Sequence, residues 1–192
     1  MLDSSLKEEL KGIRFELIDL NQAAYFYVRK MNRIEYIFQK TTREYVLEEL
    51  YALRYLENGL ILHLTNLDDK DSKYSFRTAQ KQLNKLPVDQ KLLRNLNQGL
   101  DDFRKKINHI KTQHRNSRIA HINSLDFPNL DEFLNFDSEL KPLINKANQI
   151  GDLIWGEKIQ NKFKLGSMEG ILDFRELFNQ LEINLSANRD FA

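Results

Sequence analysis

Hydrophobic residues recur at helical spacing along most of this chain. Residues 5–8 have the form of a capping box, which predicts a helix from Ser5 to about Gln39. Residues 41–44 repeat that signal and predict the start of a second helix. The apolar stripe of this second helix consists of Val46, Leu50, Leu53, Leu60, Leu64 and Leu67.

The middle of the chain predicts a short helix followed by a long one. Ser75 is expected to cap a helix that runs to Leu86, where Pro87 ends it. The next helix begins near Asp89, and its stripe is Leu93, Leu96, Leu100, Phe103, Ile107 and Ile110. The same register then reaches His114, Ser117 and His121, so the apolar side turns polar, which is typical of a helix end that lines a pocket.

The last third of the chain predicts further helices. A loop over residues 123–135 precedes a fifth helix from Leu140 to Trp155, and Ser167 is expected to cap a last helix that ends at Leu185. We find no convincing strand pattern. The predicted fold is therefore all-α: a bundle of about five to six helices in one domain, residues 1–192, with its core at about 41–155 and a C-terminal helical appendage at 157–185.

Composition excludes several classes of protein. The 192 residues include no cysteine, so disulfides and thiolate metal sites are absent, and a reducing compartment fits. The amino-terminal residues are polar and acidic, unlike a secretory signal, and no apolar stretch is long enough to cross a bilayer. We expect a cytoplasmic protein that does not interact with a membrane.

Positive charge is concentrated locally in an otherwise balanced chain. The sequence has 29 basic and 28 acidic residues, yet residues 103–125 contain no acidic residue. The basic and titratable side chains of this run are Arg104, Lys105, Lys106, Lys111, Arg115 and Arg118, with His109, His114 and His121. Such a concentration predicts a local anion site.

The residue types in this run suit the metal-independent cleavage of RNA. That reaction needs a base for the ribose 2′-hydroxyl, an acid for the leaving 5′-oxygen and a cation for the phosphorane. Histidine titrates near neutral pH and can act as acid or base, and the planar guanidinium of arginine matches phosphate oxygens. Arg118 lies three residues before His121, so the two are neighbours on a helix surface.

Ordinary structural roles remain open for the same residues. A histidine near a helix C-terminus is favoured by the helix dipole, and Arg115 and Arg118 could be solvated charges. We expect His63 and His109 to be structural, and the spacing of the histidines is poor for a metal site. The acidic residues of the loop after the second helix lack the glycine and distal glutamate of a calcium loop and are expected to form a solvated turn. These residues are Asp68, Asp69 and Asp71.

The motif also resembles a known family. Arg115 followed by Asn116 and then by His121, late in a long helix of an all-helical chain, is similar to the ribonuclease motif of the HEPN superfamily (higher eukaryotes and prokaryotes nucleotide-binding domain). Residues 119–121 look like the alanine-histidine ending of its abortive-infection branch. The resemblance covers about residues 41–123.

The resemblance implies a function. Catalytic members are metal-independent RNA endonucleases, often toxins or antiphage defence effectors, and they act as homodimers with a composite active site. Carried over, Arg115 and His121 are the catalytic pair and Asn116 is the polar accessory residue. We expect Arg118, His114, Lys111 and Arg104 to bind the RNA backbone, with no cofactor and no metal, and with 2′,3′-cyclic phosphate and 5′-hydroxyl products.

One position departs from part of the family. Toxins controlled by a nucleotidyltransferase antitoxin have a tyrosine two residues after the histidine, where this chain has Asn123. That departure puts this route of regulation in doubt, although an antitoxin protein stays a candidate partner. Two alternatives remain: a non-catalytic HEPN-like module that binds a nucleotide or a protein partner, and a structural bundle that only dimerises.

Overall fold

The fold is a bundle of α-helices with one small β-hairpin. The computed structural model describes residues 7, 8, 10–120 and 133–181, and for residues 116–120 it describes only the backbone. Within these residues the α-helices are α1 (Lys11–Lys40), α2 (Arg43–Leu67), α3 (Phe76–Leu83), α4 (Gln90–Ile110), α5 (Lys141–Trp155) and α6 (Phe174–Gln180). The predicted all-α class with about six helices is confirmed.

Side-chain caps begin α2, α3 and α4 at or next to the predicted places, and the cap of α2 is Thr42 rather than the predicted Thr41. The Thr42 hydroxyl accepts a hydrogen bond from the Tyr45 backbone N–H at 3.4 Å, and Ser75 accepts one from Thr78 at 3.3 Å. The Asp89 carboxylate accepts one from the Lys91 backbone N–H at 2.9 Å. Each cap satisfies a backbone donor that the first helical turn leaves open. The predicted start at Ser5 lies outside the described residues.

The end of the long fourth helix differs from the prediction. After Ile110 the chain continues as a π-helical segment, Lys111–Ala120, and a second π-helical segment, Phe136–Leu140, leads into α5. A π-helix bonds residue i to i+5, so the three-and-four register of the apolar stripe ends at Ile110. The continuation to His114 as one α-helical stripe is therefore wrong. The short α3 also ends earlier than predicted, at Leu83 rather than Leu86.

The predicted helix from Ser167 to Leu185 is wrong. Strands β1 (Asn161–Leu165) and β2 (Met168–Leu172) form an antiparallel hairpin instead, and the helix begins only at Phe174, after the Asp173 cap. Gly166 has a φ of 59° in the tight turn, a conformation that glycine adopts without strain. Gly170 faces Phe163 across the strands, and an added Cβ there would lie 3.1 Å from the ring.

The hydrophobic core joins a long helical hairpin to the central helices. Helix α1 packs along α2 and also contacts α5 and α6, while α4 packs on α5 and α3. The predicted stripe of α4 is buried over its last five members: Leu96, Leu100, Phe103, Ile107 and Ile110. Two buried amides, Asn21 and Asn148, exchange hydrogen bonds of 2.8 Å and join α1 to α5. This pair satisfies polar groups that burial would otherwise penalise.

A buried ion pair attaches the chain before α5 to α2. Glu57 is fully buried and accepts hydrogen bonds from Arg54 at 2.9 Å and from the Leu134 backbone N–H at 2.6 Å. The Arg54 guanidinium lies 4.6 Å from the centre of the Phe133 ring. Because a buried carboxylate needs partners, these contacts hold residues 133–134 against α2.

A contact between a histidine and a glutamate also joins the first two helices. The His63 Nδ1 atom lies 3.2 Å from Glu16, so this histidine joins α2 to α1. Burial alone would raise the pKa of Glu16, but the neighbouring His63 imidazole and a hydrogen bond from Asn66 lower that pKa below its ordinary value. None of the helices in the described part of the chain combines the length and apolarity that crossing a bilayer requires.

Candidate functional site

A buried carboxylate lies at the C-terminal end of α2. Asp68 is the C-cap residue of this helix, and its backbone N–H donates to the Thr65 carbonyl at 3.2 Å. The side chain is only 3% exposed. A carboxylate in such a position is stable only where cations and hydrogen-bond donors surround it.

Three cations from different parts of the chain surround this carboxylate. The Lys111 Nζ atom donates to Asp68 at 2.5 Å, the Arg77 Nε atom donates at 3.5 Å, and the Arg104 Nε atom lies 3.6 Å away. Arg77 belongs to α3, Arg104 to α4 and Lys111 to the π-helical segment. We call Asp68, Arg77, Arg104 and Lys111 the Asp68 cluster.

The Asp68 cluster has more positive than negative charge. One carboxylate faces three cations, so two positive charges are in excess. The cations keep between 20% and 36% of their side-chain surface exposed, whereas the carboxylate is buried beneath them. The buried Nε atom of Arg104 makes no hydrogen bond within the described residues, since Asp68 lies beyond hydrogen-bond distance. This arrangement presents fixed positive charge to solvent and suits an anion such as a phosphate.

Arg115 lies beside this cluster. Its Nη2 atom is 3.9 Å from a carboxylate oxygen of Asp69, the neighbour of Asp68 in the chain. About a third of each side chain is exposed, so this contact is a weak, solvent-screened ion pair. The π-helical segment packs against α2, and it thereby brings Arg115 to the same end of α2 as the Asp68 cluster.

The structure brings together only some of the predicted site residues. Arg104, Lys111 and Arg115 converge on the residues that follow α2, and His114 lies half-exposed with its ring centroid 6.4 Å from that of His109. For Asn116 and Arg118 only the helical backbone is described. His121 lies outside the described residues, so its distance from Arg115 is undetermined.

The acidic loop differs from its expected role. The prediction that Asp68 belongs to a solvated turn is wrong, because its side chain is buried and is surrounded by three cations. Asp71, in contrast, is exposed, and Asp69 is partly exposed. Within the described residues no group of three or more histidine or acidic side chains has the proximity needed to hold a metal ion.

Two residues of this site were missed from the sequence. Sequence patterns assigned no partner to Asp68 and no role to Arg77, although a signal existed: the chain has a loop rich in acidic residues at 68–71 and a run without any at 103–125. Opposite charges separated by about forty residues can pair only if the chain brings α2 and the π-helical segment together. That proximity is a tertiary property.

Comparison with known proteins does not assign a family. The chain matches no protein-family model, and neither a curated protein nor a solved structure matches it significantly.

Proposed function

We propose that this protein is a metal-independent endoribonuclease of the HEPN type that acts as a homodimer. The observation that carries the proposal is the partly exposed excess of positive charge at the Asp68 cluster, beside Arg115 on a π-helical segment. π-Helical turns are rare and occur frequently at functional sites, and fixed cations suit the RNA backbone. A role as a toxin or antiphage effector, with an antitoxin protein as a partner, belongs to the same proposal.

The chemistry follows from the residue types of the motif. In this proposal His121 acts as general acid or base in a reaction that forms the bond from the ribose 2′-oxygen to phosphorus and breaks the bond from phosphorus to the 5′-oxygen. The 2′-hydroxyl loses its proton and the leaving 5′-oxygen gains one. Arg115 stabilises the added negative charge of the phosphorane, and Asn116 positions the phosphate. Arg118, His114, Lys111 and Arg104 hold the backbone.

The decisive experiment is an RNA-cleavage assay in EDTA. The wild-type protein should cut RNA to 2′,3′-cyclic phosphate and 5′-hydroxyl ends, and His121→Ala should lower the rate by about 10² to 10⁴, the usual contribution of a positioned acid or base. His109→Ala is the matched control, because His109 is an exposed histidine of the same basic run, and it should retain activity. Undiminished cutting by His121→Ala would refute the mechanism.

A second candidate function is supported by the pairing of the cations. Lys111 and Arg77 already donate to Asp68, so their positions do not depend on a ligand or on His121, and their remaining donors could contact an anion. A non-catalytic module that binds a nucleotide or a partner through this site would bind ligand without turnover. Binding of RNA by the wild type together with no cleavage would favour this candidate.

A further inference from the structure

A second concentration of positive charge lies between α4 and α5. A surface groove of about 190 Å³ is lined by Lys105, Lys106 and Lys146, with Asp102 as its acidic member. The Lys146 Nζ atom is 3.6 Å from Asp102, whereas Lys105 and Lys106 are exposed and make no ion pair within the described residues. We call these four residues the lysine groove.

The charge of the lysine groove is not explained by the overall composition. The chain as a whole has a formal net charge of only +1, so three lysines that share one concave surface are a local excess. Like charges placed close together repel one another, and an anion bound among them removes that repulsion. A groove with convergent ammonium groups therefore favours a ligand with negative charge.

The position of the groove relates it to the Asp68 cluster. Arg104, Lys105 and Lys106 are consecutive on α4, and successive residues of a helix point about 100° apart, from the 3.6-residue turn. Arg104 points to Asp68, while Lys105 and Lys106 point to the groove beside α5. The Asp68 cluster and the lysine groove therefore lie on different sides of α4, separated by about half of the helix circumference. We call the exposed surface of α4 between them the ridge of α4.

We infer that an RNA strand bound at the Asp68 cluster crosses the ridge of α4 and places further backbone phosphates in the lysine groove. This inference rests on the proposed function, since it assumes that the ligand of the cluster is RNA. A chain of evenly spaced phosphates can occupy two cationic surfaces at once, which a single small anion cannot do. Lysine suits this role as a point charge that contacts phosphate without regard to base sequence.

The inference is tested with a triple variant of the full chain, Lys105→Gln with Lys106→Gln and Lys146→Gln. The matched control replaces three exposed lysines elsewhere, Lys40, Lys85 and Lys162, and changes the net charge equally. The probe is a fluorescent oligoribonucleotide with 2′-O-methyl groups, which binds without being cut. Its affinity is measured by anisotropy at several salt concentrations, and circular dichroism verifies that both variants are folded.

The expected result is a smaller salt dependence of binding in the groove variant alone. Each phosphate contact contributes about 0.7 to the slope of log affinity against log salt for a single strand, so loss of three contacts should lower the slope by about 2. The control should keep the wild-type slope. Equal losses in both variants, or none in the groove variant, would overturn the inference, and so would a wild type that does not bind the probe.

Two further outcomes keep the inference separate from the proposed function. Displacement of the probe by poly-glutamate at matched charge, as effectively as by unlabelled RNA, would indicate an acidic protein partner and overturn the RNA inference. If the groove variant alone shows the smaller salt dependence but the wild type never cuts RNA, the RNA-binding role of the groove is supported and the endoribonuclease function is refuted. If the wild type cuts RNA but the groove variant binds the probe as the wild type does, the endoribonuclease function is supported and the role of the groove is refuted.

Discussion

At the scale of single residues, one buried carboxylate organises the cations of the Asp68 cluster. The Asp68 carboxylate is the centre toward which Arg77, Arg104 and Lys111 point, so their positions depend on one buried charge. A cation held on one side by a carboxylate keeps its remaining donors for a ligand at little further cost in side-chain entropy. Asp68 is therefore proposed to position the cations that would bind the ligand, without contacting the ligand itself.

Asp68→Asn should destabilise the protein by about 2 kcal/mol, because hydrogen bonds to charged groups contribute about 1.5 to 3 kcal/mol and three cations lose their counter-charge. Urea unfolding followed by circular dichroism measures the change in midpoint at constant slope. Asp69→Asn is the control, since its contact with Arg115 is long and partly exposed, and it should cost less than about 1 kcal/mol. An equal loss in the two variants would contradict the central role of Asp68.

Residue types drew attention to some of the cations near Asp68 and left the carboxylate itself and Arg77 out. The acid-free run contains Arg104, Lys111 and Arg115, and the structure places these three near one another at the end of α2. No pattern could show that Asp68 would be buried, because burial depends on what packs over it. Whether His121 joins these cations stays a prediction.

At the scale of elements, local signals predicted several helix boundaries to within a residue or two. The cap at Ser75 is where it was predicted, the cap at Thr42 is one residue after the predicted Thr41, and Asp89 caps the helix predicted to begin near it, because a cap is made within a few residues of the same chain segment. The π-helical continuation at Lys111 had no comparable local signal. The β-hairpin had one, the Gly166–Ser167 pair between its strands, but Ser167 was interpreted as a helix cap. The hairpin strands have five residues each, too short for alternation to stand out from an irregular connection.

Long-range polar contacts also join the elements. Glu57 is the clearest case, because its two oxygens bind Arg54 of its own helix and the backbone of Leu134 from a distant part of the chain. Removal of one member of such a buried pair is costly because it leaves the other charge without its partner. Its loss should loosen the attachment of residues 133–136 to α2.

Glu57→Gln should lower the free energy of unfolding by about 3 kcal/mol, because it leaves the Arg54 charge in a buried place without its carboxylate. The measurement is the shift in urea midpoint, with hydrogen exchange of the Leu134 amide as a local readout. Glu48→Gln is the control on the same helix. Glu48 is exposed, and the variant should stay within about 0.5 kcal/mol of wild type. A similar stability for both variants would contradict this role.

At the scale of the whole molecule, the proposed mechanism needs a second copy of the chain. The π-helical segment, which carries Arg115, is the part that would meet the same segment of the second copy in a composite cleft. The apolar stripe of α4 that precedes it is already buried within the chain. Contact between two copies would therefore involve the polar end of the motif helix rather than the stripe from Leu96 to Ile110.

Light scattering of the purified protein should give about twice the 22.8 kDa mass of one chain. Because the proposed cleft needs both copies, activity per chain should fall together with the measured mass as the sample is diluted. His109→Ala serves again as a control that should leave this concentration dependence unchanged. Full activity per chain in a sample that scatters as a monomer would refute the composite active site.

The linear order of residues alone determined the all-α class, the helix starts at or near Thr42, Ser75 and Asp89, and the stripe that α4 buries. These features depend on periodicity and on hydrogen bonds between near neighbours in the chain, which are written in the sequence itself. Only the tertiary structure decided that Asp68 gathers Arg77, Arg104 and Lys111, and that Lys146 of α5 faces Lys105 of α4. Such contacts arise when distant segments pack together, and the energy that selects them depends on burial of charge, which no local pattern records.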